Sequence, residues 1–337
     1  MRKILLTPIF LIVFTISAFS QNHVKLTQFF QSPQLYNPAF TGIEPFLDLK
    51  FGRKQNLGAY EYAPKTTFFS INAPFNASQV NKLKLYSLRI SNPDLYNQYK
   101  DPSIKILKHG LGAFYVNENQ DNFTQQRIQL SYALHLGLGE KLKFSLAASP
   151  YFFSNRVDVS SIQFEVNPDP IFSQYSSIAY SRFGLNLGGL LYSNAFYLGY
   201  SALDVYKSKI AVSEDVTSDS TLVDEKISHR FMSGFIFKMN ENFDLMPGLM
   251  LTYTSDLPLI YNFNAKLRYR DQYWAGLSYQ TSGTLSLIAG GTINNWLNVG
   301  YSYDHTIAGI SNFTSGSHEL VVGIMLMGNN FSRPYLW

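Results

Sequence analysis

Between residues 260 and 270 the chain alternates without a break: Tyr261, Phe263, Ala265, Leu267 and Tyr269 interleave with Asn262, Asn264, Lys266, Arg268 and Arg270. An extended strand sends successive side chains to opposite faces, so this segment has one apolar and one polar side. The pattern recurs at Tyr273, Ala275, Leu277 and Tyr279, at Leu297, Val299, Tyr301 and Tyr303, and at Ile128, Leu130, Tyr132, Leu134 and Leu136. Past residue 20 no apolar run reaches the roughly 18 residues that a membrane helix needs. Two-faced strands in a chain with 16% aromatic but only 15% charged residues fit an antiparallel barrel with lipid outside, a polar lumen and aromatic girdles at both interfaces.

Applied along the chain, the same test predicts about fourteen strands, at 46–54, 66–72, 110–118, 124–137, 141–153, 182–192, 195–204, 229–239, 243–254, 260–270, 272–280, 284–292, 296–304 and 317–327. Alternation is weakest in 110–118 and 317–327. The fold class is therefore all-β, a transmembrane antiparallel barrel of the bacterial outer membrane. Such barrels use short periplasmic turns and longer outer loops. With a periplasmic N-terminus, Gly139-Glu140, Ser193-Asn194, Asn240 to Asn242, Asp271 and Ile293 to Asn295 are the periplasmic turns, and 154–181, 205–228 and 305–316 face outward. One connection breaks the rule: 73–109 is long yet falls on the periplasmic side. It carries Lys82, Lys84, Arg89, Lys100, Lys105 and Lys108 against Asp94 and Asp101, which suits a solvated loop, a docking surface for an acidic partner or the cell wall, or a further strand pair that would shift the register.

The N-terminus sets the compartment. Arg2 and Lys3 lead into the apolar run Ile4 to Ile16, and Ala18-Phe19-Ser20 closes it, the pattern of a secretory signal peptide. The expected organisation is a signal peptide at 1–20, a periplasmic segment at 21–45, the barrel at 46–327 and a tail at 328–337. Removing residues 1–20 leaves 25 basic against 23 acidic residues, a balance that calls for no nucleic acid. The absence of Cys excludes disulfides, thiolate metal sites and a lipid-modified Cys.

Residues Gln28-Phe29-Phe30-Gln31-Ser32-Pro33-Gln34-Leu35-Tyr36-Asn37-Pro38-Ala39-Phe40-Thr41-Gly42 resemble the opening of the PorP/SprF family, a Gln-Phe-rich stretch running into an Asn-Pro-Ala-aromatic-small-Gly sequence. Pro64 to Phe75, Gly110 to Phe114, the turns at 138–146 and 240–247, and Gly300-Tyr301-Ser302-Tyr303-Asp304 followed by Ser315-Gly316-Ser317-His318-Glu319 resemble later family elements in the same order. Arg53-Lys54-Gln55-Asn56 departs from the family by lacking a Trp. The resemblance implies an outer-membrane component of type IX secretion and gliding, which assists secretion or surface anchoring of cargo adhesins. Its implied partners are outer-membrane lipids, a cargo adhesin with a C-terminal sorting region, a periplasmic peptidoglycan-associated lipoprotein and other type IX components. On this reading residues 28–42, connection 73–109 and the tail face periplasmic partners.

No cofactor, metal site or catalytic activity is expected. A barrel hydrolase would need a set such as His135 with Ser131, both on a predicted lumen row. Asp304-His305 and His318-Glu319 flank one outer loop, where they suit a rim network or a metal site, or strand-end polar residues that satisfy each other. Lys266, Arg268 and Arg270 form a basic lumen ladder. A general porin would use it to select anions, and this is the main rival function; alternatively the three cations pair with acids such as Asp244 or Asp256.

Overall fold

The computed structural model describes residues 25–58, 62–75, 107–138, 142–158, 177–208, 226–281, 283–294, 296–307 and 315–326. The strands are β1 (Leu47–Gln55), β2 (Lys65–Phe75), β3 (Leu107–Gln120), β4 (Phe123–Gly137), β5 (Lys143–Asp158), β6 (Ser177–Tyr192), β7 (Phe196–Lys207), β8 (Ser228–Phe235), β9 (Phe237–Lys238), β10 (Phe243–Thr254), β11 (Ile260–Tyr269), β12 (Tyr273–Gln280), β13 (Thr284–Ile293), β14 (Leu297–Thr306) and β15 (Ser317–Leu326). Both β8 and β9 pair with β10 in one register, Gly248 opposite Gly234 and Leu245 opposite Phe237. They are one barrel strand interrupted at Ile236, beside Pro247, which has no N–H to give a ladder. Strands neighbouring in sequence pair antiparallel, and β15 pairs with β1, closing a fourteen-strand barrel. Each predicted span falls on one of these strands.

Alternation decides which face meets what. In β4, Arg127, Gln129, Ser131, Ala133 and His135 are buried, whereas Ile128, Leu130 and Tyr132 are exposed on the outer wall. Across paired strands the outer positions form bands. Val322, Phe51, Phe69, Tyr115, Ile128 and Phe152 make an apolar row. Two residues further along each strand the row reads Leu320, Arg53, Thr67, Asn117, Gln126 and Ser154. The apolar belt ends there. Strands β3 to β6, at 14–16 residues, continue past it, whereas β11 to β14 span 8–10.

The barrel has a turn end, with connections such as 193–195, 239–242 and 270–272, and a loop end, with 159–176, 208–227 and 307–316. At the turn end Arg270 and Asp271 take φ of 50° and 56°, the left-handed geometry of the two central residues of a tight turn, which Gln272 N–H closes by donating to Tyr269 O at 3.0 Å. Connection 73–109 is shorter than expected, because β2 runs to Phe75 and β3 starts at Leu107; residues 76–106, the expected signal peptide and the expected tail lie outside the described residues.

Of the segment expected to be periplasmic at 21–45, the described part is housed inside the barrel. Leu26 to Glu44 are all buried, folded into three 3-10 turns at Phe29–Gln31, Pro33–Leu35 and Pro38–Phe40. Pro33 and Pro38 open the second and third turns, where a missing N–H costs nothing. The Asn37 side chain caps the third by accepting from Ala39 N–H at 2.9 Å. Thr27 meets β14 and β15 at the loop end, and Gly42 meets β2 and β3 at the turn end, so this plug runs down the lumen before β1 climbs back up. Phe29, Phe40 and Phe46, each at most 2% exposed, contribute on the order of 1.5–3 kcal/mol apiece by burial.

Two glycines set the turn-end contact. Gly42 has φ of 69°, and a Cβ at Gly110 would lie 2.1 Å from the Thr41 carbonyl oxygen. Gly110→Val is therefore expected to cost at least ~1–3 kcal/mol and lower the unfolding midpoint in detergent by several degrees. Gly189→Ala, whose added carbon meets nothing closer than 3.9 Å, should leave the midpoint unchanged.

Candidate functional site: the plugged lumen

Where the plug enters at the loop end, a buried charged cluster grips its backbone. The Glu319 carboxylate accepts from Thr27 N–H at 2.8 Å and from Gln28 N–H at 3.0 Å. Thr27 Oγ1 donates to Asp304 at 2.6 Å and accepts from Lys54 Nζ at 2.8 Å. The Lys54 ammonium also pairs with Asp304 at 2.8 Å and lies 3.9 Å from Glu319. One cation thus stands between two buried carboxylates, which makes the cluster sensitive to its loss. Asp304 and Glu319 do this because both point inward; His305 and His318 alternate to the outer face. The four residues do not converge as a rim or metal site. Instead His318 Nδ1 bonds the Tyr301 hydroxyl at 2.7 Å on the outer wall, the Tyr303 hydroxyl donates to the Ser315 carbonyl at 3.1 Å, and the Ser317 hydroxyl accepts from Leu57 N–H at 3.1 Å.

Midway down, wall side chains satisfy the plug's carbonyls, as buried backbone requires. Lys50 Nζ donates to Gln31 O and pairs with Asp48, Gln129 Nε2 donates to Gln34 O at 3.2 Å, and the Ser201 hydroxyl donates to Tyr36 O at 2.8 Å. The motif residues supply the return contacts. Gln28 Nε2 donates to Glu319 O at 3.3 Å and Asn37 Nδ2 to Gly189 O and Tyr200 O at 3.1 and 3.3 Å, while within the plug the Tyr36 hydroxyl accepts from Leu26 N–H at 2.8 Å. Phe29 packs edge-on against Phe30 and Tyr36. A Cβ at Gly300 would lie 2.0 Å from Gln31 Nε2, so this glycine makes room for the glutamines. Residues 28–42 therefore act inside the wall and present no motif surface to outside partners in this state.

The remaining candidates belong to the same packing. His135 is bonded on both ring nitrogens, to Thr41 O at 2.8 Å and to the Tyr192 hydroxyl at 2.9 Å, while Ser131 bonds Ser149 at 2.9 Å. The basic ladder is divided among three settings. Lys266 Nζ sits 3.7 Å from the Phe30 ring centroid, a cation–π contact with the plug. Arg268 pairs with Asp244 at 2.7 Å and Asp271 at 3.2 Å. Arg270 lies in the exposed hairpin, donating to Asn242 at 2.9 Å. Asp256 pairs with Lys226 instead. Of the basic docking residues, Lys108 is spent internally: it lies in β3 and donates to Ile43 O and Glu44 O at 2.8 and 3.2 Å. Lys82, Lys84, Arg89 and Lys105 lie outside the described residues.

Replacing Lys54 with Met strands Asp304 and Glu319, a loss of ~3–5 kcal/mol for a buried pair. The Thr27 and Gln28 amides should then exchange with deuterium about a hundred-fold faster than in the parent protein, while mid-strand amides of β13 keep their protection.

Among solved structures the chain is similar to the outer membrane protein Omp33 of Acinetobacter baumannii, at 10% identity over 85% of this chain and 100% of that one, with a TM-score of 0.44. It is also similar to the toluene transporter TbuX of Ralstonia pickettii, at 9% identity over 88% and 93% with a TM-score of 0.43, and to the toluene transporter TodX of P. putida, at 8% over 87% and 93% with a TM-score of 0.42. No curated protein matches it. The family model for the type IX secretion system membrane protein PorP/SprF matches residues 18–324. With that match over nearly its whole length, the chain belongs to the PorP/SprF family of type IX secretion system membrane proteins, outer-membrane barrels rather than members of an enzyme class.

Proposed function

We propose that this barrel assists the secretion or surface anchoring of cargo adhesins, joining the C-terminal sorting region of an exported adhesin to a periplasmic peptidoglycan-associated lipoprotein and other type IX components. Family membership supplies the setting. The observation that carries the reading beyond it is the filled lumen: the plug's carbonyls are held by side chains from β1, β4 and β7, and Lys266 is spent on Phe30. A general porin needs a continuous wet path, with its selecting cations facing that path. A barrel stoppered by its own chain is suited to holding other proteins. Strands β2 and β15 finish at Phe75 and Leu326 on the turn end, so the basic connection and the tail that follow them are the segments assigned to periplasmic partners on this reading.

In-cell crosslinking of the tagged protein in its host, followed by mass spectrometry of the outer-membrane fraction, tests this reading. An exported adhesin and a peptidoglycan-binding lipoprotein should dominate the crosslinks. Crosslinks of the barrel to itself alone would overturn the proposal and favour the porin.

A further inference from the structure

Where the barrel closes, its wall is electrically one-sided. Strands β14, β15, β1 and β2 carry three acids, Asp48, Asp304 and Glu319, and all three are buried on the lumen side. Two cations of the same strands point inward with them and are paired, Lys50 with Asp48 and Lys54 with Asp304. The other two, Arg53 and Lys65, alternate to the outer face and are exposed. Among the described residues neither has an ion pair, a hydrogen bond or a ring contact, and no acid of these four strands faces outward to meet them.

Register brings the two together at the loop-end rim of the apolar belt. Arg53 follows Phe51 by one two-residue repeat and stands between Leu320 and Thr67; Gln55, one repeat further, stands between His318 and Lys65. Lys65 is thus the diagonal neighbour of Arg53 across a single ladder, at roughly 7–8 Å between their backbones, within reach of one shared anion. A strand rises ~3.3 Å per residue, so Arg53 leaves the backbone about 7 Å beyond Phe51, where a long stem carries its charge into the headgroup layer. Tyr301 opposite Leu320 and Tyr303 opposite His318 flank the pair on one side, the amphipathic aromatics that mark a membrane interface. On the other side Thr67, Asn117 and Gln126 continue the first row, and Asn119 and Thr124 the second. These hydroxyl and amide groups are neutral hydrogen-bonding partners of the kind that sugar hydroxyls take up.

We propose that Arg53 and Lys65 form a binding site for a phosphorylated glycolipid of the outer leaflet. The two cations hold a sugar phosphate, the neutral polar rows beside them meet sugar hydroxyls, and the apolar row below packs on the acyl chains. Long loops mark the outward end of such a barrel, which puts this rim at the outer leaflet. The site rests on the outer-membrane setting and is independent of the secretion role.

The test uses the full-length barrel in detergent, titrated with lipid A that carries its sugar phosphates and with the same lipid after the phosphates are removed, and read by native mass spectrometry. The phosphorylated form is expected to bind about ten-fold more tightly, the order of one hydrogen bond to a charged group, and an equal concentration of phosphatidylglycerol should not displace it. Arg53→Gln combined with Lys65→Gln should abolish the preference for phosphate, whereas Lys238→Gln, at an exposed cation of the turn end, should leave it unchanged. Unchanged heat-modifiability on gels checks that the variants are folded. The proposal is overturned if the two forms of the lipid bind alike, if the double variant keeps the preference, if Lys238→Gln loses it equally, or if phosphatidylglycerol displaces the glycolipid.

Discussion

A closed wall of fourteen strands encloses more space than its own inward side chains fill, because lumen width grows with strand number. This chain meets that constraint with residues 26–44, and much else follows from the choice. The plug brings backbone N–H and C=O groups into a place with little water, so the wall carries side chains that satisfy them: Glu319 for Thr27 and Gln28, Ser201 for Tyr36, His135 for Thr41. It also brings large apolar side chains, so parts of the inner wall become apolar to receive them. Trp274 meets Phe30 edge-on at 5.2 Å, and Tyr197 meets Phe40 at 5.4 Å. Glycines at 110, 188 and 300 leave room where the plug comes closest.

The same choice explains what was legible in the sequence. Strands such as β4, β11 and β14, with polar lumen rows against a lipid-facing apolar row, stand out by alternation alone. In β3 and β15 the signal is weak because the inward positions Phe114, Val116, Val321 and Met325 are themselves apolar and belong to the core built around the plug; both faces of those strands then read alike. The plug itself has no periodicity to read. Three short 3-10 turns punctuated by proline look like any surface turn ahead of a strand, and only the density of Gln and aromatic residues in a segment without alternation marks it as something to be buried. Of the basic ladder, the inward direction of Lys266 and Arg268 and the pairing of Arg268 with Asp244 were open to sequence reasoning. The contact of Lys266 with Phe30 was not, since it needs the plug.

In this architecture the barrel is sealed by its own N-terminal segment. Planar-bilayer conductance of the purified full-length protein, compared with a variant lacking residues 25–44, tests it most directly. The full-length protein is expected to show no steady conductance and the shortened one open-channel steps. A steady, nonselective open state in the full-length protein, unchanged by removal of the segment, would contradict it.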